Sequence, residues 1–241
     1  MFDHVTIRAA DRDASERFYR TLLGTIGIEP SNASADLIEW DDFSILRAER
    51  APTQHLHVAF GTPSRALVDQ AWRACLDAGH EDAGAPGERP QYKPDYYGAF
   101  VLDPDGNSAE VVHHGDVRPG NRIDHLWIGV RDLEATSRFY DAIARYTGLR
   151  RGRRWDGGVQ YRGAWATCSF VRDGRPPTQQ LHLAFAAPDR RTVDDFHRAT
   201  TAAGYEDNGA PGERPRYHPG YYGAFVLDPD GHNVEVVNHN H

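Results

Sequence analysis

Residues 96–114 read YYGAFVLDPDGNSAEVVHH, and residues 221–239 read YYGAFVLDPDGHNVEVVNH. Each copy predicts a β-hairpin, because an apolar run meets the turn formers Asp-Pro-Asp-Gly before extended residues resume. Gly106 accepts turn angles that other residues avoid. Glu110 and its counterpart Glu235 place a carboxylate inside an apolar strand. Such a charge has to be solvated, paired or bound to a metal.

The repetition extends beyond the hairpin. Residues 2–7, FDHVTI, align with residues 123–128, IDHLWI, and His57 aligns with His182. The polar stretch GDVRPGNR at 115–122 separates the two copies. The sequence therefore predicts two homologous domains in tandem, at residues 1–117 and 118–241.

Each predicted domain repeats a pattern of strand, helix and further strands. Residues 13–16 resemble a helix capping box, residues 81–94 are expected to form a long loop, and helices are expected near 133–144 and 188–203. This order is typical of an α+β protein with helices on one face of a mostly antiparallel sheet.

Composition narrows the class of protein. A formal charge of −8, with 26 Arg and the single Lys93, gives no general attraction to phosphate backbones, so a nucleic-acid partner is not expected. The chain shows no signal peptide and no apolar run long enough to span a membrane. Cys75 and Cys168 lack metal-site spacing, which favours buried thiols in a reducing compartment. We expect a cytoplasmic protein, with a homodimer as an open alternative to a monomer.

Two histidines and one glutamate recur at matching positions of the repeat. They are His4, His57 and Glu110 in the first domain and His125, His182 and Glu235 in the second. Two imidazoles and a carboxylate can occupy one face of a metal ion and leave the opposite face open. Each residue also has a plain alternative, as a core histidine or as a glutamate paired with arginine. The joint recurrence favours a metal site.

The patterns His4…Phe18-Tyr19, His57 and Asp103-Pro-Asp-Gly…Glu110 resemble the vicinal oxygen chelate superfamily, which includes glyoxalase I, extradiol dioxygenases and bleomycin resistance proteins. The resemblance covers both halves of the chain. It implies paired βαβββ modules that form a curved, cup-shaped sheet with helices outside. It also implies one divalent ion per domain, with Fe(II), Mn, Ni and Zn all open, held by the two sets of residues named above.

Departures from the family pattern leave the reaction open. The strands expected to carry a fourth glyoxalase ligand, 43–46 and 168–171, contain no carboxylate. Phe100 and Phe225 stand where extradiol dioxygenases carry a tyrosine. His218 matches an acid–base histidine of the loop, whereas the first copy has Lys93.

Further candidates lie in the repeated loops APGERPQYKP and APGERPRYHP. Arg89 and Arg214 are candidates for binding a substrate carboxylate, and Tyr92, Tyr217, Phe100 and Phe225 for lining a pocket, although all could brace the loops. Of each adjacent tyrosine pair, one should face inward. Tyr97, Tyr222 and His218 are the candidate catalytic bases.

These observations favour a metal-dependent enzyme acting on a small substrate with neighbouring oxygens. Lyase or isomerase chemistry and ring-cleaving dioxygenation stand nearly level. The alternative is a protein that binds a drug or metabolite without turnover. Substrate, metal and the activity of each site stay open.

Overall fold

The computed structural model describes residues 2–115 and 122–240. Two compact units make up the chain: unit I is Thr6–Trp127, and unit II is Met1–Val5 together with Ile128–His241. The units differ from the sequence repeats, because the start of the first strand belongs to unit II and most of β9 (Ile123–Gly129) belongs to unit I. The predicted domain boundary between 117 and 118 lies outside the described residues.

Four βαβββ modules follow one another along the described chain, as expected. The helices of these modules are α1 (Arg12–Thr25), α2 (Arg65–Asp77), α3 (Leu133–Thr147) and α4 (Arg190–Ala202). The strands before the linker are β1 (Phe2–Ala9), β2 (Asn32–Ala33), β3 (Leu37–Trp40), β4 (Phe43–Arg47), β5 (Leu56–Gly61), β6 (Glu81–Glu88), β7 (Tyr97–Leu102) and β8 (Ser108–His113). The later strands are β9, β10 (Arg150–Trp155), β11 (Gly158–Arg162), β12 (Thr167–Val171), β13 (His182–Ala186), β14 (Asp207–Glu213), β15 (Tyr222–Leu227) and β16 (Asn233–Asn238). The predicted α+β class is confirmed.

The strands form two mixed sheets. Unit I contains the orders β1-β4-β3-β2 and β9-β5-β8-β7-β6, and unit II contains β14-β15-β16-β13-β1 and β10-β11-β12-β9. Most of the pairs with a defined register are antiparallel, but β5 lies parallel to β8 and β13 lies parallel to β16. These two parallel pairs carry the second histidine and the glutamate of each predicted set.

The hairpin of residues 96–114 forms as expected. In its ladder Phe100 pairs with Glu110, and the equivalent pair is Phe225 with Glu235. Asp103 braces the turn, because its Oδ1 accepts hydrogen bonds from the backbone N–H groups of Asp105 and Asn107. Its Oδ2 accepts one from the buried hydroxyl of Tyr19 at 3.0 Å. Burial, opposed by these hydrogen bonds, raises the pKa of Asp103 to about 6.

Two local expectations were wrong. Helix α1 begins at Arg12 and is capped by Asp11, whose side chain accepts from the N–H of Ala14, so the predicted box at 13–16 lies inside the helix. Residues 81–88, expected as a loop, form strand β6, whose register against β7 shifts on both sides of Gly84. Gly84 adopts φ +156°, which allows the strand to bulge where its Gly and Pro content indicated a loop.

The core of each unit is aromatic. In unit I the rings of Tyr19 and Phe43 are 4.8 Å apart, and in unit II those of Tyr140 and Phe170 are 4.1 Å apart. Cys75 and Cys168 are buried free thiols, as expected. No helix among the described residues is both long and apolar enough to cross a bilayer.

Candidate metal centres

Site I, in unit I, consists of His57 on β5, Glu110 on β8 and His125 on β9. In the parallel pairing of β5 with β8, Ala59 lies opposite Glu110. His57 lies two residues before Ala59 on β5, so its side chain is on the same face of the sheet. The Nε2 atoms of His57 and His125 lie 3.0 and 3.4 Å from Oε2 of Glu110. Three strands thus bring two imidazoles to one buried carboxylate oxygen.

Site II, in unit II, repeats this arrangement with His4 on β1, His182 on β13 and Glu235 on β16. The Nε2 atoms of His182 and His4 lie 3.2 and 3.7 Å from Oε2 of Glu235. The two Nε2 atoms are 3.1 Å apart. All six residues singled out from the sequence therefore lie in one of two three-residue clusters.

The composition of the clusters differs from the expectation. The sequence repeats grouped His4 with His57 and Glu110. In the structure His125 joins His57 and Glu110, whereas His4 lies in the other cluster, with Glu235. The physical reason is strand order, since β9 is the neighbour of β5, and β1 is the neighbour of β13. Each site therefore takes its first-strand histidine from the other sequence repeat.

The second carboxylate oxygen of each glutamate has its own partner. The hydroxyl of Tyr96 donates to Oε1 of Glu110 at 2.7 Å, and that of Tyr221 donates to Oε1 of Glu235 at 2.6 Å. Burial and the neighbouring carboxylate raise the pKa of both tyrosines far above the usual value of 10. Both phenols therefore remain protonated donors.

The glutamate of site I stays ionised although it is almost fully buried. Burial by itself would raise the pKa of Glu110, but hydrogen bonds from His125 and His57 lower it to about 2. For His125, burial opposes the charged form, but Asp124 and Glu110 raise the pKa of the imidazole to about 9. The cluster therefore holds negative charge on the carboxylate that a cation could bind.

The outer nitrogen of each imidazole in site I is hydrogen-bonded. Nδ1 of His57 lies 3.0 Å from Oγ of Ser108, and Nδ1 of His125 lies 2.9 Å from Oδ1 of Asp124. Oδ2 of Asp124 is 2.8 Å from Nε2 of His114. Such contacts fix ring orientation and direct Nε2 toward the glutamate.

Site II has an equivalent but longer chain of contacts. Nδ1 of His4 lies 2.8 Å from Oδ1 of Asp3, whose Oδ2 is 2.8 Å from Nε2 of His239. Nδ1 of His239 is in turn 2.8 Å from Nε2 of His218. His218, a predicted base, thus lies three side chains away from Nε2 of His4 and does not reach the cluster directly.

The other predicted bases lie elsewhere. The hydroxyl of Tyr97 donates to Asp69 of α2 at 2.7 Å, and that of Tyr222 donates to Asp194 of α4 at 2.8 Å. Both hydroxyls therefore contact helix carboxylates and lie outside the two clusters. The alternation of strand β7 turns Tyr96 toward Glu110 and turns Tyr97 to the opposite face, toward the helix.

The predicted arginines are engaged locally. Arg89 donates to the backbone carbonyls of Ala85 and Glu88, and its guanidinium lies 5.6 Å from the ring centroid of Phe100. Arg214 makes the equivalent contacts with Ala210, Glu213 and Phe225. These contacts favour the bracing role over the carboxylate-binding role.

Of the aromatic residues predicted to line a pocket, the two phenylalanines lie next to the clusters and the two tyrosines lie at the surface. Phe100 lies 5.8 Å from the ring of His57, and Phe225 lies 6.3 Å from that of His182. Tyr92 and Tyr217 are about half exposed, at 48% and 51%. Their rings contact Tyr96 and Tyr221 respectively.

Sequence reasoning missed the residues that surround the ligands, although signals were present. Asp precedes His in both first strands, as Asp3-His4 and Asp124-His125. The tyrosine pair also implied that one member faces inward, but the sequence left open which one.

The donor set and its spacing fit a divalent transition metal. Two imidazole nitrogens and one carboxylate oxygen are typical ligands of Zn, Fe, Mn and Ni. At bond lengths of about 2.1 Å, neighbouring ligands of a metal lie about 3.0 to 3.4 Å apart. The contacts of Oε2 with the imidazoles range from 3.0 to 3.7 Å. Both clusters could hold a metal ion with small adjustments.

The family model described as the Glyoxalase/Bleomycin resistance protein/Dioxygenase superfamily matches residues 122–236. The chain belongs to this superfamily. A glyoxalase/bleomycin resistance protein from Albidiferax ferrireducens T118 is 31% identical, covering 48% of this superfamily member and 97% of its own chain, with a TM-score of 0.44. The uncharacterized protein YqjT of Bacillus subtilis (strain 168) is 28% identical over 132 residues, which are 48% of this chain and 97% of YqjT.

The similarity in fold to solved structures covers nearly the whole chain. Glyoxalase I from Zea mays superposes with a TM-score of 0.70, covering 99% of this chain and 92% of its own. Its sequence is 16% identical, so this likeness is one of fold.

Proposed function

We propose that the protein is a divalent-metal-dependent enzyme that acts on a small substrate with two neighbouring oxygen atoms. The observation that carries the proposal is the convergence of two histidines and one buried glutamate, in the same geometry, at two places in the chain. His57, Glu110 and His125 would hold one ion, and His4, His182 and Glu235 the other. When bound, the ion would serve as a Lewis acid toward the substrate oxygens and, as Fe(II), as the centre for O₂ chemistry.

The protein residues would position the ligands. The glutamate supplies fixed negative charge, the aspartates beside His4 and His125 orient the imidazoles, and the protonated phenols support the carboxylates. Phe100 and Phe225 present apolar surface next to His57 and His182, which would limit water near the substrate.

Two reaction classes remain candidates. Lyase or isomerase chemistry needs a protein base near the substrate, and Tyr97, Tyr222 and His218 do not reach the clusters. Ring-cleaving dioxygenation needs open metal positions, which a set of three protein ligands leaves. Phe100 and Phe225, in place of the dioxygenase tyrosine, weigh against this class. It needs only three protein ligands, however, which is the number in each cluster, and we therefore propose it first.

The test is oxygen uptake by Fe(II)-loaded protein with a panel of catechols. Uptake is expected in the wild type and should be lost in the double variant Glu110→Gln Glu235→Gln, which removes both carboxylates at nearly constant volume. Iron-loaded wild type that binds catechols without consuming oxygen would overturn dioxygenation. Conversion of a 2-oxoaldehyde–thiol adduct by the metal-loaded protein would then support lyase or isomerase chemistry. Ligand binding without turnover in either assay would support a binding protein.

A further inference from the structure

We propose that Tyr96 and Tyr221 are positioning residues that hold each glutamate as a ligand through one oxygen only. The inference rests on the proposed metal binding. Each hydroxyl contacts Oε1 and leaves Oε2 to the imidazoles.

The two oxygens of each carboxylate have separate partners. In site I, Oε2 of Glu110 lies 3.0 Å from His57 and 3.4 Å from His125, whereas Oε1 lies 2.7 Å from the hydroxyl of Tyr96. In site II the same division holds for Glu235 and Tyr221. A metal ion held by the three ligand atoms would therefore meet Oε2, whereas Oε1 is already hydrogen-bonded to the tyrosine.

A glycine of the neighbouring strand, beside each carboxylate, makes room for this arrangement. A Cβ added at Gly98 would lie 2.4 Å from Oε1 of Glu110 and 3.3 Å from Cε1 of Tyr96. At Gly223 the corresponding distances are 2.6 Å from Oε1 of Glu235 and 3.3 Å from Cε1 of Tyr221. Any side chain here would displace the oxygen that the tyrosine holds. The Tyr-x-Gly spacing, present in both copies, thus defines the position of Oε1.

The anchoring is buried and therefore strong relative to a surface contact. Tyr96 and Tyr221 are 8% and 6% exposed, and both glutamates are 1% exposed. A hydrogen bond to a charged group is stronger than one between neutral groups. Tyr96 also packs with Ala59 and Val112, which fixes the ring independently of the hydroxyl.

The consequence concerns the number of open positions on the metal. A carboxylate can bind through one oxygen or through both. Binding through both would occupy one more position on the ion. By holding Oε1, the tyrosine keeps that position open for a substrate oxygen.

The experiment isolates one site and removes one hydroxyl. In a Glu235→Gln background, only site I is expected to bind metal, and Tyr96→Phe removes the phenolic hydroxyl alone. Tyr97→Phe is the matched control, since it removes a neighbouring hydroxyl that contacts Asp69 instead. Co(II) is titrated into each protein, and affinity and the visible absorption spectrum are recorded.

We expect Tyr96→Phe to weaken Co(II) binding by about 10- to 100-fold, which is the usual loss when a residue that hydrogen-bonds to a metal ligand is replaced. The intensity of the Co(II) absorption bands should also change. Tyr97→Phe should match its background protein. Tyr96→Phe with unchanged affinity and spectrum would overturn the inference. If Tyr96→Phe does not fold, Tyr221→Phe in a Glu110→Gln background provides the same test, with Tyr222→Phe as control. Failure of the wild type itself to bind Co(II) would instead overturn the proposed function, and the inference with it.

Discussion

The exchange of first-strand histidines between the sequence repeats predicts which double substitutions abolish one site and which abolish both. His57 and His125 share site I, whereas His4 belongs to site II. The double variant His57→Ala His125→Ala should therefore keep one metal site. The double variant His4→Ala His57→Ala should lose both. Grouping by sequence repeat predicts the opposite pair of results.

The magnitude follows from the number of ligands. Metal binding of about 10–16 kcal/mol, shared among four ligands, corresponds to roughly 3 kcal/mol for each protein ligand. Loss of one of three protein ligands should thus weaken a site by about 10²-fold or more. Two losses in one site should abolish binding there at micromolar metal, while the other site keeps its affinity.

The assay is calorimetric titration with Mn(II) or Zn(II), supported by metal content after dialysis. His197→Ala is the matched control, because this histidine contacts Asp207 at 3.0 Å, and neither residue belongs to a cluster. Circular dichroism confirms folding of each variant. One retained site in His4→Ala His57→Ala, together with none in His57→Ala His125→Ala, would refute the observed grouping.

Two further predictions concern local structure. Gly98→Ala should weaken metal binding at site I by at least about tenfold, because the new Cβ would lie 2.4 Å from Oε1 of Glu110. Gly24→Ala is the control, because a Cβ added there would have its nearest neighbouring atom 3.8 Å away. Wild-type metal affinity in Gly98→Ala would refute the prediction. The pKa of Asp103 is 3.8 in the unfolded chain and is raised to about 6 in the folded chain. The stability that this protonated side chain contributes is therefore fully present below pH 3.8 and is lost as the pH rises through 6. Urea unfolding should therefore show that the stability deficit of Asp103→Asn is smaller at pH 8 than at pH 4.5, by about 2 kcal/mol. An equal deficit at both pH values would contradict this.

The sequence was sufficient to predict residue types and their strands, because repetition marked them. Glu110 stood out as a charge in an apolar run, and its recurrence as Glu235 showed that it was not accidental. The order of strand, helix and further strands followed from the sequence patterns, and the family resemblance supplied the βαβββ module. These features depend on local chemistry, which a sequence records directly.

Strand neighbours could not be predicted in the same way. His4 and His125 occupy equivalent positions of nearly equivalent strands, so local pattern offers no reason for either to join Glu110 rather than Glu235. The choice between Tyr96 and Tyr97 likewise depended on ladder register, because a shift of one residue exchanges the faces of a strand. The pairing of Phe100 with Glu110 settles it in the structure.

The proposed function requires that the two clusters of two histidines and one glutamate bind divalent metal. The most direct measurement is the metal content of wild-type protein purified anaerobically and supplied with Fe(II), Mn(II) or Zn(II). We predict about two equivalents per chain, falling to about one in Glu110→Gln or in Glu235→Gln. Absence of bound metal in the folded wild type, with all three ions, would contradict it.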